Sequence, residues 1–379
     1  MRIAVTGASG YIGLALLRCL ASRGHQVIAF ARRDMSGNDA AIHWRVRPGG
    51  LPEHTDLQGC DAIVHLAGRA HTRVALQDGV DLFDDSNRKL ASATADAAHA
   101  AGVARFVQVS TLGVHGNWSA RPVTETSALI GDTPYARSKV AAEQELAVQL
   151  NGTGTTLTIV RPPMVYGAGC PGNFPRLVKL VKSGMPLPFG SVTGTRSFIH
   201  VDNLASLLAH CAEQSGMAGV FIAGDGSDYE LPELIRAIAA GIHRPARLVP
   251  FPPGLLRLAA RALGRQREID SLTRPMPVDW SKIRAAGWTP DVYKRQSGTC
   301  IRTQADLASA GTAGPTIWHG IGCSRVHGQR FSPRHSIICS MRHKPRGHAT
   351  LPAFPTNSCQ HARTRAMAPA ACCTWRRSA

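Results

Sequence analysis

Tyr135 and Lys139 place a phenol and an ammonium group four residues apart. On a helix, residues i and i+4 share one face, so the pair can reach a single site. A lysine beside a phenol favours the phenolate, which would let Tyr135 pass a proton near neutral pH. The same spacing also describes an ordinary surface pair, so its meaning depends on the neighbouring segments. Two hydroxyls, Ser110 and Thr111, follow Arg105-Phe-Val-Gln-Val109, which reads as a strand. A hydroxyl at a strand's carboxyl end either meets a ligand or closes a turn.

The elements that must position these groups begin at residue 2. Arg2 to Thr6 reads as a short buried strand, followed by Gly7-Ala-Ser9-Gly10-Tyr11-Ile12-Gly13, a helical run from Leu14 to Arg23, and a second strand from His25 to Ala31. Strand, glycine turn, helix and strand make the βαβ unit of a dinucleotide-binding fold. The glycines allow a tight turn, backbone approach to a pyrophosphate and close helix packing, and the helix N-terminus favours phosphate charge. The second strand ends in Ala31-Arg32-Arg33, where an acidic residue would suit a free ribose 2′-hydroxyl. Two guanidinium groups instead suit a 2′-phosphate, which favours NADP over NAD as cofactor.

Asp61 to Gly68 is another strand with a small-residue exit, Leu66-Ala67-Gly68, where backbone can approach a cofactor closely. Asn87 to Gly102 reads as an alanine-rich helix. The helix carrying Tyr135 and Lys139 starts after Pro134, a favoured first-turn residue, and runs to about Leu150. Thr156 to Arg161 is a strand stopped by Pro162-Pro163, after which 165–194 reads as loop-rich. Later come a strand entering a helix (196–211), a strand (220–224), helices at 231–240 and 255–263, the latter basic, and a capped short helix within 279–290. The alternation predicts an α/β fold, a doubly wound parallel sheet with helices on both faces. The later segments are expected to form a small lid over its carboxyl edge.

The 379 residues, 44% hydrophobic and 18% charged, fit a globular protein of one large or two medium domains. The net charge of +18 is unevenly spread: 1–290 carries 30 Lys and Arg against 23 Asp and Glu, whereas 297–379 carries 11 against 1. No basic run is interleaved with aromatics, so no nucleic acid partner is expected. No apolar run is long enough for a span, Gly7 interrupts any leader core, and a cytoplasmic protein without a membrane partner is expected. Cys19, Cys60, Cys170 and Cys211 are scattered without metal-ligand spacing, and no metal site is expected.

Together these residues resemble the extended short-chain dehydrogenase/reductase family, in particular its NAD-dependent epimerase/dehydratase members. The resemblance covers about 1–290. Thr6-Gly7-x-x-Gly10-x-x-Gly13 matches the family's cofactor loop, and Tyr135 with Lys139 its catalytic pair. Aligning Val114-His115-Gly116 on the family's Val-Tyr-Gly puts Thr111 at the catalytic hydroxyl position with Ser110 adjacent. Asn87 matches the Asn that opens the helix before the fourth strand. Arg161-Pro162 and Val165-Tyr166-Gly167 match the segment after the sixth strand. Asn173 falls where an Asn commonly contacts phosphate, and Arg196 where the family contacts the sugar-nucleotide diphosphate. The Asp279-Trp-Ser-Lys-Ile-Arg and Gly287-Trp-Thr-Pro290 motif closes the family's substrate region.

The resemblance implies a Rossmann-type NAD(P)-binding domain over 1–165, also using about 196–225, with an interleaved substrate-binding region over 166–290. It implies a UDP-sugar substrate, hydride exchange at its C4, Tyr135 as acid or base and a homodimer. Lys139 would lower the tyrosine pKa and bond the nicotinamide ribose, and Thr111 would orient the reacting oxygen. The segments 171–196 and 245–263 are most similar to the bacterial surface-polysaccharide branch. That branch holds UDP-sugar 4-epimerases and the 4-reductase forming UDP-N-acetylquinovosamine. A 4-keto-reductase is favoured by Arg32-Arg33; a 4-epimerase keeping NAD, or a non-catalytic NADP-binding sensor, are the alternatives. Three positions depart from the family: Ala31 for the usual Asp, no adenine-contacting Asp within 43–47, and His115 for the tyrosine of Val-Tyr-Gly.

At 291 the composition changes to Arg, His, Cys, Pro and Ser. Asp291 to Gln296 resembles one reading frame of the transposon mosaic-end sequence used in library preparation. Residues 291–379 are therefore expected to be a disordered, non-native translation. Six cysteines and six histidines there invite a metal module, but none has C-x₂₋₄-C spacing.

Overall fold

The computed structural model describes residues 1–33, 35, 40–70, 76–77 and 80–291, without the side chains of Pro48, Leu76, Gln77, Val80 and Asn173. Apart from Asp291, the expected tail 291–379 lies outside the described residues. From the amino terminus, β1 (Arg2–Thr6), α1 (Tyr11–Ser22), β2 (Gln26–Ala31), β3 (Ile42–Val46) and β4 (Ala62–His65) come first. A short hairpin, β5 (Leu76–Gln77) with β6 (Val80–Asp81), and a π-helical turn at Asp84–Lys89 lead into α2 (Leu90–Ala100). Then follow β7 (Arg105–Val109), α3 (Pro134–Gln149), β8 (Thr156–Arg161), β9 (Met164–Tyr166), α4 (Asn173–Lys182) and β10 (Thr195–His200). The remaining elements are α5 (Val201–Glu213), β11 (Gly219–Ile222), β12 (Ser227–Glu230), α6 (Leu231–Gly241), α7 (Pro253–Ala262), α8 (Gln266–Thr273) and α9 (Ser281–Ala285).

Seven of the strands form a parallel sheet in the order β11-β8-β7-β4-β1-β2-β3. Such strands are covered on both faces and read as continuous apolar runs, as Ile3, Ala4 and Val5 do with no exposure at all. Helices α1 and α5 bury one face through Leu16, Leu20, Leu204 and Leu208. Helices α2 and α3 bury the other through Ala91, Ala95, Ala142 and Leu146. The strand order reverses between β1 and β4, and that reversal opens the crevice where ligands bind such sheets.

Pro162 and Pro163 end β8, because neither can donate to a ladder. The chain then leaves the main sheet and enters a second one, β12-β10-β9, in which β10 runs parallel to β9 and antiparallel to β12. This small sheet, with α4 and α6, encloses a separate core of Phe174, Leu177, Val178, Phe198, Ile235 and Ile238. The buried Asp225 joins the two regions: its carboxylate accepts from the backbone N–H of His200 (2.9 Å), from Asn203 Nδ2 (2.9 Å) and from the N–H of Ser227 (3.0 Å).

Four elements correct the sequence reading. Residues 173–182, read as loop, form α4, whose Phe174, Leu177, Val178 and Val181 repeat at helical spacing inside a glycine- and proline-rich stretch. The polar β12 and the half-buried α8, whose only apolar residues Ile269 and Leu272 turn inward, carried no extended apolar pattern. The helix expected from Asn87 begins instead as the π-helical turn, and Asn87 lies inside it.

Candidate active site

The three glycines of the first turn are each fixed by a different neighbour. Gly7 has φ +64°, and a Cβ there would stand 2.7 Å from the amide nitrogen of Ala67. Gly10 is the N-cap of α1 and offers no side chain, leaving the first-turn N–H groups facing the cleft. A Cβ on Gly13 would lie 2.5 Å from the carbonyl oxygens of Gly7 and Ala8, so α1 can pack on the turn only with glycine there. Across the crevice, Gly68 has φ +159° and its Cβ would meet Asn87 Oδ1 at 2.5 Å. These are cradles that side chains would fill, which is the shape a bound dinucleotide requires.

Helix α3 aims the phenol and the ammonium. Thr133 caps it by accepting from the N–H of Ala136 (3.0 Å), and Pro134 presets the first turn. Tyr135, Lys139 and Glu143 then form one stripe at i, i+4 and i+8. The half-buried ring of Tyr135 leans on Phe83 with centroids 6.0 Å apart. Lys139 is buried and donates to the Val109 carbonyl at 3.0 Å. Asn87 ties this helix to the exit of β4: its Nδ2 donates to Ser138 Oγ (2.9 Å) and to the Arg69 carbonyl (3.1 Å), while its Oδ1 accepts from the Arg69 N–H (2.9 Å).

Burial sets the charges of the pair. It pushes the Tyr135 phenol up to about 12, against the opposing effect of a hydrogen bond with the Thr111 hydroxyl. Burial also pushes the Lys139 ammonium down to about 8, and the Glu143 carboxylate opposes that shift. The expectation that Lys139 draws Tyr135 toward the phenolate is therefore corrected. In this geometry the ammonium is directed at a backbone carbonyl, and the phenol holds its proton. His65, fully buried and hydrogen-bonded through Nδ1 to Thr6 Oγ1 (2.9 Å), is held neutral by burial, down to about 3.

Thr111 lies at the carboxyl end of β7 and also accepts from the Gly113 N–H at 3.1 Å. Ser110 beside it is buried, and its Oγ has no hydrogen-bond partner. A cleft of about 550 Å³ is lined by Gly7, Gly10, Tyr11, Ile12 and Gly13 at one end. Ser110, Thr111, Tyr135, Lys139 and Asn87 line its other parts, with Leu66 and Gly68 between. Ser9 and Ala67 belong to the same turns without lining the cleft, and Arg32 and Arg33 stand exposed at the end of β2. The side chain of Asn173 lies outside the described residues.

Arg196 lines a second, smaller cavity of about 30 Å³, which shares Met164 and Phe174 with the main cleft. Its guanidinium donates to the carbonyls of Arg274 (2.9 Å) and Asn117 (3.1 Å), and burial lowers its pKa to about 10. Among the described residues no carboxylate pairs with it, so it presents uncompensated positive charge at the outer end of the cleft.

Sequence reasoning missed the support beneath the stripe. Arg161, Glu143 and His115 form a buried cluster, with Arg161 Nη2 donating to Glu143 at 2.5 Å and Nη1 lying 3.1 Å from His115 Nε2. His115 Nδ1 faces the Ala128 carbonyl at 3.1 Å, so the ring is neutral with its proton on Nδ1, consistent with a pKa lowered by burial. The Pro162-Pro163 stop was visible in the sequence; that it turns Met164 into the cleft was not. Among the described residues no cluster of His, Cys, Asp or Glu is placed to hold a metal, and no helix is long and apolar enough to cross a membrane.

A reversed-order parallel sheet, a glycine turn at its crevice and a tyrosine–lysine stripe across from it define an enzyme of the short-chain dehydrogenase/reductase type. The family model described as NAD dependent epimerase/dehydratase family matches residues 3–224, and this chain belongs to that family. It is 30% identical over 298 residues to a UDP-glucose 4-epimerase of Vibrio cholerae, spanning 76% of this chain and 90% of that protein. A 4-hydroxy-2-methyl-3-oxo-4-farnesyl-3,4-dihydroquinoline-1-oxide ketoreductase of Stigmatella aurantiaca is 29% identical over 264 residues, 66% of this chain and 77% of that one. The fold is also that of the UDP-glucuronic acid 4-epimerase from Bacillus cereus, solved with UDP-glucuronic acid and NAD. The two superpose with a TM-score of 0.64 at 20% identity, covering 82% of this chain and 99% of the other.

Proposed function

We propose that this protein reduces the 4-keto group of a nucleotide-linked sugar, with NADPH favoured over NADH. A bound nicotinamide dinucleotide supplies the hydride. The glycine turn, the α1 N-terminus and the Leu66–Gly68 exit would hold it, and Arg32 and Arg33 suit the extra phosphate that distinguishes NADP. The observation that carries the reading is the cleft that brings Tyr135, Lys139 and Thr111 to the glycine turn, with the Arg196 cavity adjoining it through the shared Met164 and Phe174.

In the reducing direction the substrate oxygen gains negative charge and needs a proton. Tyr135, held protonated by burial, donates from its Oη, and the Thr111 hydroxyl steadies the resulting phenolate and orients the oxygen. Lys139, charged at pH 7 below its pKa of about 8, offsets the negative charge of the phenolate as it forms. Arg196 offers charge-assisted donors to the diphosphate, and the apolar wall of Met164 and Phe174 keeps water from the sugar. Asn173 is assigned a phosphate contact by its family position, and Ser110 a supporting hydroxyl. A homodimer in the cytoplasm, with 291–379 as a non-native tail, completes the proposal.

A second reading is a 4-epimerase that retains NAD and returns the hydride to the same sugar. The Vibrio cholerae epimerase, matched over 90% of its length, favours it. Incubation of the purified chain with NADPH and UDP-4-keto sugars, and separately with UDP-hexoses and no added cofactor, distinguishes them. NADPH oxidised in proportion to product supports the reductase, and interconversion without net oxidation supports the epimerase. Silence in both assays leaves a binding protein on the same fold and refutes the proposal.

A further inference from the structure

Helix α7 is apolar on two sides. Leu256 and Ala260 face the body of the protein and line a cavity of about 380 Å³ with Leu177, Leu180 and Phe189. Leu255 and Leu258, three residues apart and therefore on one face, point the other way and are 54% and 64% exposed. Val249 and Phe251, just before the helix, are exposed as well, as is Leu263 after it. A helix that is apolar on its solvent side is unstable in water unless something covers it.

The segment that carries this face has charge of one sign. Residues 244–267 contain six arginines, Arg244, Arg247, Arg257, Arg261, Arg265 and Arg267, and no Asp or Glu. The next carboxylates along the chain, Glu268 and Asp270 on α8, are paired with Arg265 and Arg274. Arg257 and Arg261 border the outward leucines on the Leu258 side, at about 100° per residue. A second copy of the chain on this face would bring the same arginines together across a two-fold axis, which like-charge repulsion opposes. Nucleic acid would satisfy the arginines and leave the leucines in water. An anionic bilayer surface satisfies both, taking the leucines into its interface and the guanidinium groups among its headgroups.

We propose that α7 and the segment before it dock this protein on an anionic phospholipid surface. The cavity beneath α7 shares Leu177 and Leu272 with the Arg196 cavity, so the docked face lies at the outer end of the substrate cleft. The docking does not depend on which sugar or cofactor the cleft takes.

The test is co-sedimentation of the whole chain with phosphatidylcholine vesicles, with and without roughly 30% phosphatidylglycerol, a negative surface of the kind that attracts basic segments. Binding only to the anionic vesicles, weakened by salt, is expected. Leu255→Ser with Leu258→Ser should reduce it roughly ten-fold or more, and Arg257→Gln with Arg261→Gln by roughly five-fold per arginine. Because the basic 297–379 is unchanged in these variants, undiminished binding by the serine pair overturns the proposal. A Leu258→Trp variant supplies an independent readout: its fluorescence should shift to the blue on anionic vesicles, and no shift overturns the proposal. A dimer that the serine pair abolishes, without vesicle binding, would overturn it in favour of a second copy.

Discussion

Replacing Lys139 with methionine should stabilise the fold while abolishing turnover. The ammonium is 6% exposed, and burial lowers its pKa from 10.5 to about 8. At about 1.4 kcal/mol per unit, carrying the charge at pH 7 costs about 3 kcal/mol. Methionine is similar in length and removes the charge, but forfeits the hydrogen bond to the Val109 carbonyl, about 1 kcal/mol. The net gain is about 2 kcal/mol at pH 7. A lysine whose folded pKa is depressed binds fewer protons folded than unfolded between the two values. Its penalty is therefore complete below pH 8 and fades as pH rises toward 10.5. At pH 10 about 1 kcal/mol of it remains, and the two proteins should converge. Tyr135, pushed up to about 12, makes stability fall above pH 10 in both proteins, so its effect cancels in the difference. Urea unfolding followed by circular dichroism measures this, with an expected rise in midpoint of about 0.7 M at pH 7 for a slope near 3 kcal/mol/M. A variant no more stable than the wild type at pH 7, or an advantage that persists unchanged at pH 10, would refute the reasoning.

Arg32→Gln with Arg33→Gln should raise the KM for NADPH by about ten-fold or more and leave that for NADH nearly unchanged, as charge-assisted phosphate bonds are lost; steady-state kinetics with both cofactors decides. Gly13→Ala sets a methyl 2.5 Å from two carbonyl oxygens, so α1 must move. A loss of about 1–3 kcal/mol is expected, together with loss of thermal stabilisation by added NADP. Arg196→Met should raise the KM for the sugar nucleotide by about 10- to 100-fold with a smaller change in kcat, since the residue grips the part of the substrate that does not react. A collapse of kcat at unchanged KM would place Arg196 at the reacting atoms instead.

The parts of this protein governed by backbone constraint were readable in its sequence. Gly7 and Gly13 can be placed because a Cβ there would meet backbone at 2.5–2.7 Å, and Tyr135 and Lys139 because helical spacing puts them on one face. Apolar runs mark six of the seven strands of the main sheet; β3, polar and half-exposed, carries no such run. Parts that depend on distant partners were not readable. Arg161, Glu143 and His115 come from three separate segments, and no local pattern joins them. β12 is a strand only because β10 lies beside it. The depressed lysine and elevated tyrosine pKa values follow from burial, which a list of neighbours in sequence does not contain.

The central claim is that the Tyr135 hydroxyl delivers the proton beside a nicotinamide held by the glycine turn. It is tested most directly by single-turnover reduction of a UDP-4-keto sugar by NADPH with Tyr135→Phe, which removes the hydroxyl and keeps the ring against Phe83. The account predicts a rate lowered by about 10²–10⁴ with NADPH affinity unchanged within about two-fold. Turnover within a few-fold of the wild type, at equal cofactor affinity, would contradict it.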